Sequence, residues 1–378
     1  MRKLLSLALA ATVALTIAVP VAAADPGSGE GKTVRVMTRN LYLGANLGPG
    51  LAAPDLPSFV EANGGILRSV TATDFPLRSR ALAAEIREEK PDLVGLQEVA
   101  LWRTGPPSLT PVLTGVPSAT DVRFDFLELL LDRLNTGPRN VRYEVAVVQE
   151  EFDLEAPANE NGFAGDGPFP IVNAELNGRL TMRDVILARH GHGVRVRNPA
   201  GDNFDNLLQV NVAGVPLSIE RGWTRVDAKV RGSGKFRFVN THLEAFDDET
   251  QTPSIRQLQA QELVTPGGPA QHGKPPVILL GDLNSDDDTV SVDDQKAYRV
   301  LLDAGFTERS TDDPLSCCFE DPLLVGGDLS ELDHQVDHVM TDAGGEVVLR
   351  DSSVTGLEQF GGLWPSDHAG VFSALRFR

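Results

Sequence analysis

Short apolar runs and amphipathic segments alternate along the first half of the chain. Apolar and polar residues alternate in KTVRVMTRNLYLG, which predicts a strand with Asn40 at its exit. Residues 77–89 have a helical period that stops at a Lys-Pro pair, and LVGLQ at 93–97 predicts a buried strand. FDFLELLLDRLN predicts another amphipathic helix, followed by the strand YEVAVVQ. Strand, helix and strand at this spacing indicate a layered α/β fold.

The second half is dominated by strand-like runs. TMRDVILAR, LLQVNVAGV, GWTRVDAKV and KFRFVNTHLEA follow one another with few helices between them, which predicts an antiparallel meander. SIRQLQAQELV and DQKAYRVLLDAG predict helices on either side of the strand PPVILLGDLNSD, and QVDHVMTD and AGVFSALRFR predict the last strands. Residues 103–120 and 153–178 predict loops. A mixed two-sheet core with outer helices fits this order better than an alternating βαβ sheet, and no GxGxxG follows a strand.

The first 24 residues predict a secretory signal peptide. A basic start precedes an apolar run that closes in an Ala-x-Ala ending at Ala24. A retained membrane anchor is the alternative interpretation. Residues 25–32 predict a flexible leader, and 33–378 are assigned to one domain. No later stretch approaches the ~20 apolar residues of a spanning helix, so we expect a secreted protein with no transmembrane segment in its mature form, and a monomer.

The chain is strongly acidic, with a formal net charge of -19. Loss of residues 1–24 would remove two basic residues and no acidic one, and the charge would become -21. Such a mean field repels nucleic acid and anionic membranes, so the composition carries no electrostatic signal for a nucleic-acid partner. A bound cation can nevertheless invert the field at one site.

The only cysteines, Cys317 and Cys318, are adjacent in PLSCCFED. Neighbouring Cα atoms are ~3.8 Å apart, which is below the usual disulfide range of ~4.4–6.8 Å. A strained vicinal disulfide and a pair of free, partly buried thiols both remain open. No Cys/His spacing typical of a zinc site is present.

Side chains with catalytic chemistry recur where apolar strands meet loops. VILLGDLNSD ends in Asp282 and Asn284, which the two-residue period of a strand puts on one face. For this segment alone, an Asp/Asn-rich turn is the plain alternative. Five further strand ends carry Asn40, Glu98, Thr241 with His242, Asp337, and Ser366 with Asp367 and His368. Together they predict one site, carried by loops on a rigid sheet scaffold.

In this order, the motifs resemble those of the endonuclease/exonuclease/phosphatase superfamily. Gly-Asp-x-Asn at 281–284 and Ser-Asp-His at 366–368 are the most specific parts, and the likeness spans about residues 33 to 378. The resemblance implies a four-layer α/β/β/α sandwich, with two mixed β-sheets packed face to face and helices outside. It also implies divalent-metal-dependent hydrolysis of a phosphoester substrate, which could be nucleic acid, phospholipid or a small phosphoester.

The resemblance and the chemistry of phosphoesters assign roles to the acidic motifs. Attack on an anionic phosphate requires a cation on its oxygens and an activated water. Glu98 and Asp367 are expected to hold Mg²⁺, with Mn²⁺ or Ca²⁺ as alternatives. His368 is the expected base, because imidazole titrates nearest neutral pH, and Asp337 would accept its other N–H. Asp282 would position the water or bind a second metal.

Four side chains are expected to contact the phosphate. Asn40 and Asn284 would donate to its oxygens, and His242 would stabilise it or protonate the leaving oxygen. Arg183 matches a strand on which some relatives place a phosphate-binding arginine, and an ion pair with Asp184 is the structural alternative. His190, His192 and His338 are interpreted as bystanders, and Trp364 either stacks on a substrate base or plugs the rim.

The alternative function is a catalytically silent binding or adhesion module on the same fold. A silent relative would usually lack one or more of Glu98, His242, Asp282 and His368, and all four are present. Among enzymes, a nuclease would require basic residues beside the site, and no basic stripe is visible. A lipid hydrolase would require an exposed aromatic hairpin, for which only Phe360 and Trp364 are candidates.

Overall fold

The structure, a computed structural model, describes residues 33–137, 142–162, 173–191, 193–246, 252–273, 275–286, 295–311, 315–342 and 346–377. The predicted signal peptide and leader lie outside the described residues. No described helix combines the length and the apolar character needed to cross a membrane.

The strands, in chain order, are β1 (Thr33–Asn40), β2 (Leu93–Gln97), β3 (Leu101–Gly105), β4 (Asp121–Asp125), β5 (Tyr143–Ala158), β6 (Leu176–Arg189), β7 (Arg195–Asn203), β8 (Leu208–Val212), β9 (Val215–Ile219), β10 (Gly222–Lys229), β11 (Lys235–His242), β12 (Val277–Asp282), β13 (Thr307–Glu308), β14 (Asp337–Thr341), β15 (Val347–Thr355) and β16 (Gly370–Phe377). The helices are α1 (Gly48–Leu51), α2 (Leu56–Ala72), α3 (Phe75–Glu89), α4 (Thr110–Thr114), α5 (Phe126–Leu134), α6 (Ile255–Val264) and α7 (Lys296–Asp303), with a 3₁₀ turn at Leu329–Glu331.

The first sheet has the order β15-β16-β1-β2-β6-β3-β4, and β5 also pairs with β6. β1 and β2 are parallel, with Asn40 opposite Gln97. β16 is antiparallel to β1, with Val371 opposite Thr38. The exits of β1 and β2 and the entry to β16 therefore lie at one edge. That edge receives Asn40, the residue after Gln97, and the segment that precedes β16.

The second sheet has the order β13-β14-β12-β11-β10-β7. β11 and β12 are parallel and place His242 opposite Asp282. β14 is antiparallel to β12 and places Asp337 opposite Asp282. Three predicted site residues are thus direct neighbours across three strands. Gly281 permits this pairing, because a Cβ at its φ of 147° would collide with the backbone of Thr241 on β11.

Three apolar cores separate four layers. Leu67, Leu82 and Leu130 of α2, α3 and α5 pack in one core with the outer face of the first sheet. Val36, Val226 and Phe238 belong to the core between the sheets. Leu263, Leu279 and Leu301 belong to the core between the second sheet and α6 and α7. The predicted α/β/β/α sandwich is confirmed.

A polar contact crosses the middle core close to the site. Gln97 Nε2 donates to Asn240 Oδ1 at 2.5 Å, and Asn240 Nδ2 donates to the Leu96 carbonyl at 3.2 Å. Gly95 on β2 allows the sheets to approach here, since a Cβ would meet the side chains of Leu280 and Asn240. These buried hydrogen bonds fix the lateral alignment of the two sheets, and therefore of the strand ends they carry.

The helices predicted from periodicity are confirmed, but the predicted loops contain regular structure. The segment 103–120 includes the end of β3 and all of α4. In 153–178, β5 continues to Ala158 and β6 begins at Leu176, while 163–172 lie outside the described residues. The predicted meander is confirmed only for β10 and β11, because β8 forms a separate hairpin with β9 and β6 belongs to the first sheet; β7, which also pairs with β10, was not predicted.

The long helix α2 was not predicted. Its sequence, LPSFVEANGGILRSVTA, contains two glycines and several β-branched or short polar residues that weaken its helical propensity. Asp55 caps it by accepting the Ser58 N–H at 2.9 Å, and Phe59, Leu67 and Val70 are buried. Packing on the first sheet, rather than propensity, stabilises this helix.

Candidate active site

Asp282 is the hub of the predicted site. Its Oδ2 accepts a hydrogen bond from Asn40 Nδ2 at 2.9 Å and lies 3.5 Å from His242 Nε2 and 3.7 Å from His368 Nε2. Its Oδ1 accepts the backbone N–H of Asn284 at 2.9 Å. The structure therefore brings together four predicted residues from both sheets around one buried carboxylate. Burial is the main reason that the pKa of Asp282 is raised.

The predicted pair of Asp337 and His368 is present. His368 Nδ1 and Asp337 Oδ2 are 2.8 Å apart and both side chains are buried. The carboxylate holds the proton on Nδ1 and leaves Nε2 facing Asp282. Burial lowers the pKa of His368, but the charges of Asp337 and Asp282 raise it by more, so that it lies well above its usual range. The neutral form of His368 is therefore a stronger base than free imidazole, and it is the form that can accept a proton from a water near Nε2.

His242 is held as a neutral imidazole. It is 1% exposed, and burial, Arg221 and His368 together lower its pKa well below the usual range. Arg221 Nη1 lies 3.2 Å from His242 Nδ1. A neutral imidazole donates a hydrogen bond but is a poor source of a proton. Of the two predicted roles of His242, the geometry therefore favours hydrogen bonding to a phosphate oxygen.

Arg221 is a candidate site residue that the sequence did not indicate. It is 3% exposed and lies between His242 and Glu244, with 3.8 Å between Arg221 Nε and Glu244 Oε2. An isolated arginine before a strand matches no motif. The pairing of Gly222 with His242 brings it to the site edge, and it lines the same cavity as Glu98. Its guanidinium is a natural partner for a phosphate.

Glu98 and Asp367 form the predicted metal-binding part of the site. Both line one cavity of about 240 Å³. Glu98 Oε2 accepts the Leu43 N–H at 2.6 Å, and Asp367 Oδ1 accepts from Ser366 Oγ at 3.3 Å. Burial, with a further contribution from Glu98, raises the pKa of Asp367 to about 6. Two carboxylates that share a cavity fit a hard cation such as Mg²⁺, which also retains several waters.

A second position also offers carboxylate oxygens. Asp282, Asp337 and His368 each present one ligand atom, and these atoms lie within 4.8 Å of one another. Among the described residues, Asp337 Oδ1 has no hydrogen-bond partner although it is buried. This geometry is compatible with the predicted alternative that Asp282 takes part in a second metal site.

Three residues of the site edge have left-handed backbone conformations. The φ angles are 56° at Tyr42, 54° at Glu98 and 46° at Asn284. Hydrogen bonds support them, because Asn40 Oδ1 accepts the Tyr42 N–H at 2.9 Å and Asp282 accepts the Asn284 N–H. Such conformations are unfavourable without glycine and occur preferentially where function requires a particular side-chain direction.

The predicted phosphate contacts of the two asparagines are partly replaced by internal ones. Asn40 Nδ2 donates to Asp282, and Asn284 Nδ2 donates to the Leu243 carbonyl at 3.0 Å. Each amide nitrogen has two N–H groups. In this structure both asparagines position their neighbours, and one N–H of each is left for a phosphate.

The structure contradicts the phosphate-binding prediction for Arg183. Its Nε donates to the Val99 carbonyl at 2.8 Å, and Nη2 pairs with Asp125 Oδ1 at 2.7 Å. The structural alternative is correct in kind, but the partner is Asp125 on β4 rather than Asp184. Adjacent residues on a strand point to opposite faces, so Arg183 and Asp184 cannot pair directly.

The histidines predicted to have no role in the site contact residues outside it, where the structure describes them. His190 is exposed and lies 3.4 Å from Glu144, while His192 is outside the described residues. Buried His338 contacts Glu308 Oε2 at 2.8 Å. Trp364 donates to the Gly326 carbonyl at 2.8 Å and stacks on Phe319 with ring centroids 4.1 Å apart. It therefore plugs the rim and is not available to a substrate base.

Apolar side chains form much of the wall of the cavity that contains Glu98. The carboxylates and Arg221 occupy part of the lining, and the apolar part comprises Leu47, Phe152, Met182, Ile219, Phe246 and Phe319, among others. A cavity that combines charged groups with apolar walls can bind an anionic centre and an apolar substituent beside it.

The four-layer fold and the cluster of carboxylates and histidines at its strand ends resemble those of enzymes that hydrolyse phosphoesters. The sequence matches the Endonuclease/Exonuclease/phosphatase family over residues 61–368, and the chain belongs to that family. The resemblance drawn from the motifs is thus confirmed. Members of this family hydrolyse phosphoester bonds and generally use a divalent metal.

Solved structures of the family share the fold. An endonuclease/exonuclease/phosphatase from Beutenbergia cavernae DSM 12333 is 20% identical, with a TM-score of 0.53, over 92% of this chain and 72% of that one. A family protein from Leptotrichia buccalis C-1013-b is 13% identical, with a TM-score of 0.50, over 91% of this chain and 100% of the other. No curated protein matches the sequence significantly.

Proposed function

We propose that this protein is an exported, divalent-metal-dependent phosphodiesterase. One observation carries the proposal. His368, oriented by Asp337 at 2.8 Å, faces Asp282, while the preceding residue in the chain, Asp367, shares a cavity with Glu98. The proposed base and the proposed cation ligands thus lie side by side, which supports the proposal because attack of water on an anionic ester requires both.

Each residue of the site would have a separate role in the reaction. A cation held by Glu98 and Asp367 supplies charge neutralisation and polarisation of the phosphate when bound. His368 accepts the proton of the attacking water at Nε2, and Asp337 stabilises the imidazolium that forms. Asp282 accepts a second hydrogen bond from that water and so orients it. As the water oxygen bonds to phosphorus, the bond from phosphorus to the leaving oxygen breaks, and the leaving oxygen takes its proton from solvent.

The other side of the phosphate would be held by Arg221 and His242. The guanidinium of Arg221 provides fixed N–H donors and a positive charge for non-bridging oxygens. His242 adds a neutral N–H donor. Because both groups are buried and oriented before substrate arrives, they can stabilise charge that develops in the transition state without reorganising.

Turnover of a substrate panel tests this function. Duplex DNA, RNA, sphingomyelin, phosphatidylinositol phosphates and bis-(p-nitrophenyl) phosphate are each incubated with Mg²⁺ and with EDTA. We expect turnover of at least one diester that EDTA abolishes. Turnover that persists in EDTA would contradict the metal dependence, and binding without turnover would support the silent-module alternative.

A matched pair of variants tests the metal assignment. Glu98→Gln removes the charge but keeps the shape, and should abolish most turnover while leaving the unfolding midpoint nearly unchanged. Glu88→Gln, on the exposed face of α3, is the control and should keep full turnover. Near-complete activity of Glu98→Gln at low Mg²⁺ would refute the role of Glu98.

Export rests on the charge, apolar run and Ala-x-Ala ending of the first 24 residues. Expression of the full chain in a secreting host, followed by N-terminal sequencing, should find protein in the medium that begins at Asp25. Secreted protein that begins at Met1 would contradict cleavage near Ala24.

A further inference from the structure

The two adjacent cysteines face the proposed catalytic histidine. Cys317 and Cys318 are paired as a disulfide in the structure. Cys317 Sγ lies 3.8 Å and Cys318 Sγ 3.7 Å from His368 Nε2. The segment is anchored by backbone hydrogen bonds between Cys317 and His334. Cys317 is buried and Cys318 is half-buried.

These distances are those of a tetrahedral metal centre. Zn–S bonds of about 2.3 Å and Zn–N bonds of about 2.05 Å at a tetrahedral angle put sulfur and nitrogen ligands about 3.6 Å apart. Both observed distances from sulfur to Nε2 lie within about 0.2 Å of that value. On reduction the two sulfurs would have to separate to about 3.8 Å, the spacing of two thiolates on one tetrahedral cation, whereas His368 would need little movement to serve as the third ligand.

The hydrogen bond between His368 and Asp337 also suits His368 to bind a metal through Nε2. Asp337 Oδ2 lies 2.8 Å from Nδ1 of His368 and holds the proton there, so the lone pair of Nε2 is directed away from the carboxylate. A carboxylate behind a ligating histidine is a common arrangement in zinc sites, because it fixes the tautomer and strengthens the ligand. The three ligand atoms lie within 4.8 Å of one another.

We propose that the reduced form of this cysteine pair, together with Nε2 of His368, binds one thiophilic cation such as Zn²⁺ or Cd²⁺. A dithiol reductant transfers two electrons to the disulfide, the S–S bond breaks, and each sulfur gains a proton while the reductant becomes a cyclic disulfide. Cation binding then releases both thiol protons and the proton that Nε2 of His368 carries in its imidazolium form, and leaves two thiolates and one imidazole nitrogen as ligands. The oxidised pair has no thiolates and does not bind.

The site would compete with the proposed reaction. Its nitrogen ligand is the same Nε2 that accepts the proton of the attacking water, so a bound cation removes the base. Mg²⁺ does not compete, because it prefers oxygen ligands to thiolates. This consequence rests on the proposed function, whereas the binding of the cation does not.

A spectroscopic titration tests binding without any turnover. The full-length protein is reduced with dithiothreitol, and the dithiothreitol is then removed under anaerobic conditions. A thiol assay confirms two reactive thiols per chain before the titration. Cd²⁺ is then added in the presence of excess Mg²⁺, and thiolate-to-cadmium absorption is followed in the ultraviolet. We expect saturation at one Cd²⁺ per chain, and no signal from oxidised protein. Absence of the signal from fully reduced protein, or a pair that cannot be reduced in the folded state, would refute the proposal.

Variants separate this site from adventitious binding. The double variant Cys317→Ser and Cys318→Ser should lose the signal and keep Mg²⁺-dependent turnover. Should it fold poorly, each single variant should bind Cd²⁺ at least about tenfold more weakly than wild type. His368→Gln should keep the thiolate absorption but weaken binding to a similar extent. Unchanged affinity in His368→Gln would show that the histidine is not a ligand.

Activity provides the second measurement. Zn²⁺ in slight excess over enzyme should inhibit reduced wild-type protein in saturating Mg²⁺ and should not inhibit oxidised protein or the double serine variant. Equal inhibition of all three would place the inhibitory Zn²⁺ at the carboxylate site instead. If no substrate is turned over, the proposed function fails, but the Cd²⁺ titration still decides the metal site.

Discussion

Substitution of Glu151 by glutamine should make the protein more stable at alkaline pH. Glu151 lies on β5, is 4% exposed, and shares its surroundings with Arg221, Asp184 and Glu244. Burial raises its pKa to about 8 from an ordinary value of 4.5, although Arg221 acts in the opposite direction. The folded protein therefore holds a proton on Glu151 that the unfolded chain has already lost.

The sign and size of the effect follow from proton linkage. Because the folded state binds the extra proton, stability is highest below the unfolded pKa and falls as the pH rises towards the folded pKa. Each pH unit in that window costs about 1.4 kcal/mol. Over the interval from 4.5 to about 8, the wild-type protein loses roughly 5 kcal/mol through this one group. Glutamine has a similar shape, stays neutral and removes this loss.

Urea unfolding in EDTA, at about pH 5 and about pH 8.5, measures the difference. We expect Glu151→Gln and wild type to be similar at the lower pH, and the variant to be more stable by several kcal/mol at the higher one. The pKa of Asp184 is raised by burial and also by the charge of Glu151, so the second contribution is lost in the variant and acts in the same direction as the main effect. Glu150→Gln, on the exposed side of the same strand, is the control and should show no such change.

The opposite result would refute the reasoning. A variant that is less stable than wild type at the higher pH would mean that Glu151 is ionised in the folded protein and stabilises it by pairing with Arg221. The buried carboxylates beside the site would then serve as counterions for Arg221 rather than as neutral acids.

Three further predictions concern the site itself. His368→Ala should lower kcat/KM by about 10²–10⁴-fold. The double variant with Asp337→Asn should lose little more, because the two residues act as a unit. A loss in the double variant equal to the product of the two single losses would contradict the pairing. His242→Ala should lose equally on a p-nitrophenyl diester and an alkyl diester, since a neutral imidazole is not the acid, whereas a larger loss on the alkyl ester would assign it that role. Arg183→Met should destabilise folding by about 3 kcal/mol through loss of the pair with Asp125 and leave kcat/KM of the folded enzyme unchanged; a raised KM would restore the phosphate-binding role.

The sequence was sufficient for features that depend on local order. The helical period of α3 and α5 and the apolar run of β2 follow from short stretches of side chains. The polar residues that end β1, β11 and β12 were equally visible, because each follows directly on an apolar run. These signals were enough to predict a mixed two-sheet core with outer helices and the set of residues at its edge, and the four-layer order followed from the family resemblance of the Gly-Asp-x-Asn and Ser-Asp-His motifs.

The tertiary structure decided what those residues do to one another. The register of β11, β12 and β14 makes His242, Asp282 and Asp337 neighbours, although more than 30 residues separate each from the next along the chain. The pairing of β10 with β11 brings Arg221 against His242, and burial, Arg221 and His368 together lower the pKa of the imidazole. In the first sheet β3 lies between β4 and β6, and Arg183 on β6 reaches Asp125 on β4, against the prediction made for it.

The cysteine pair also shows which features the sequence determines and which depend on the tertiary structure. Their adjacency in the sequence left a disulfide and free thiols equally open, and nothing in PLSCCFED indicates a histidine nearby. The structure folds the segment before β16 against them and places Nε2 of His368 within 3.8 Å of both sulfurs. Local sequence can specify strands, helices and their exits, because those depend on neighbouring residues. Distances between exits depend on register and sheet packing, and these are set by contacts between residues far apart in the chain.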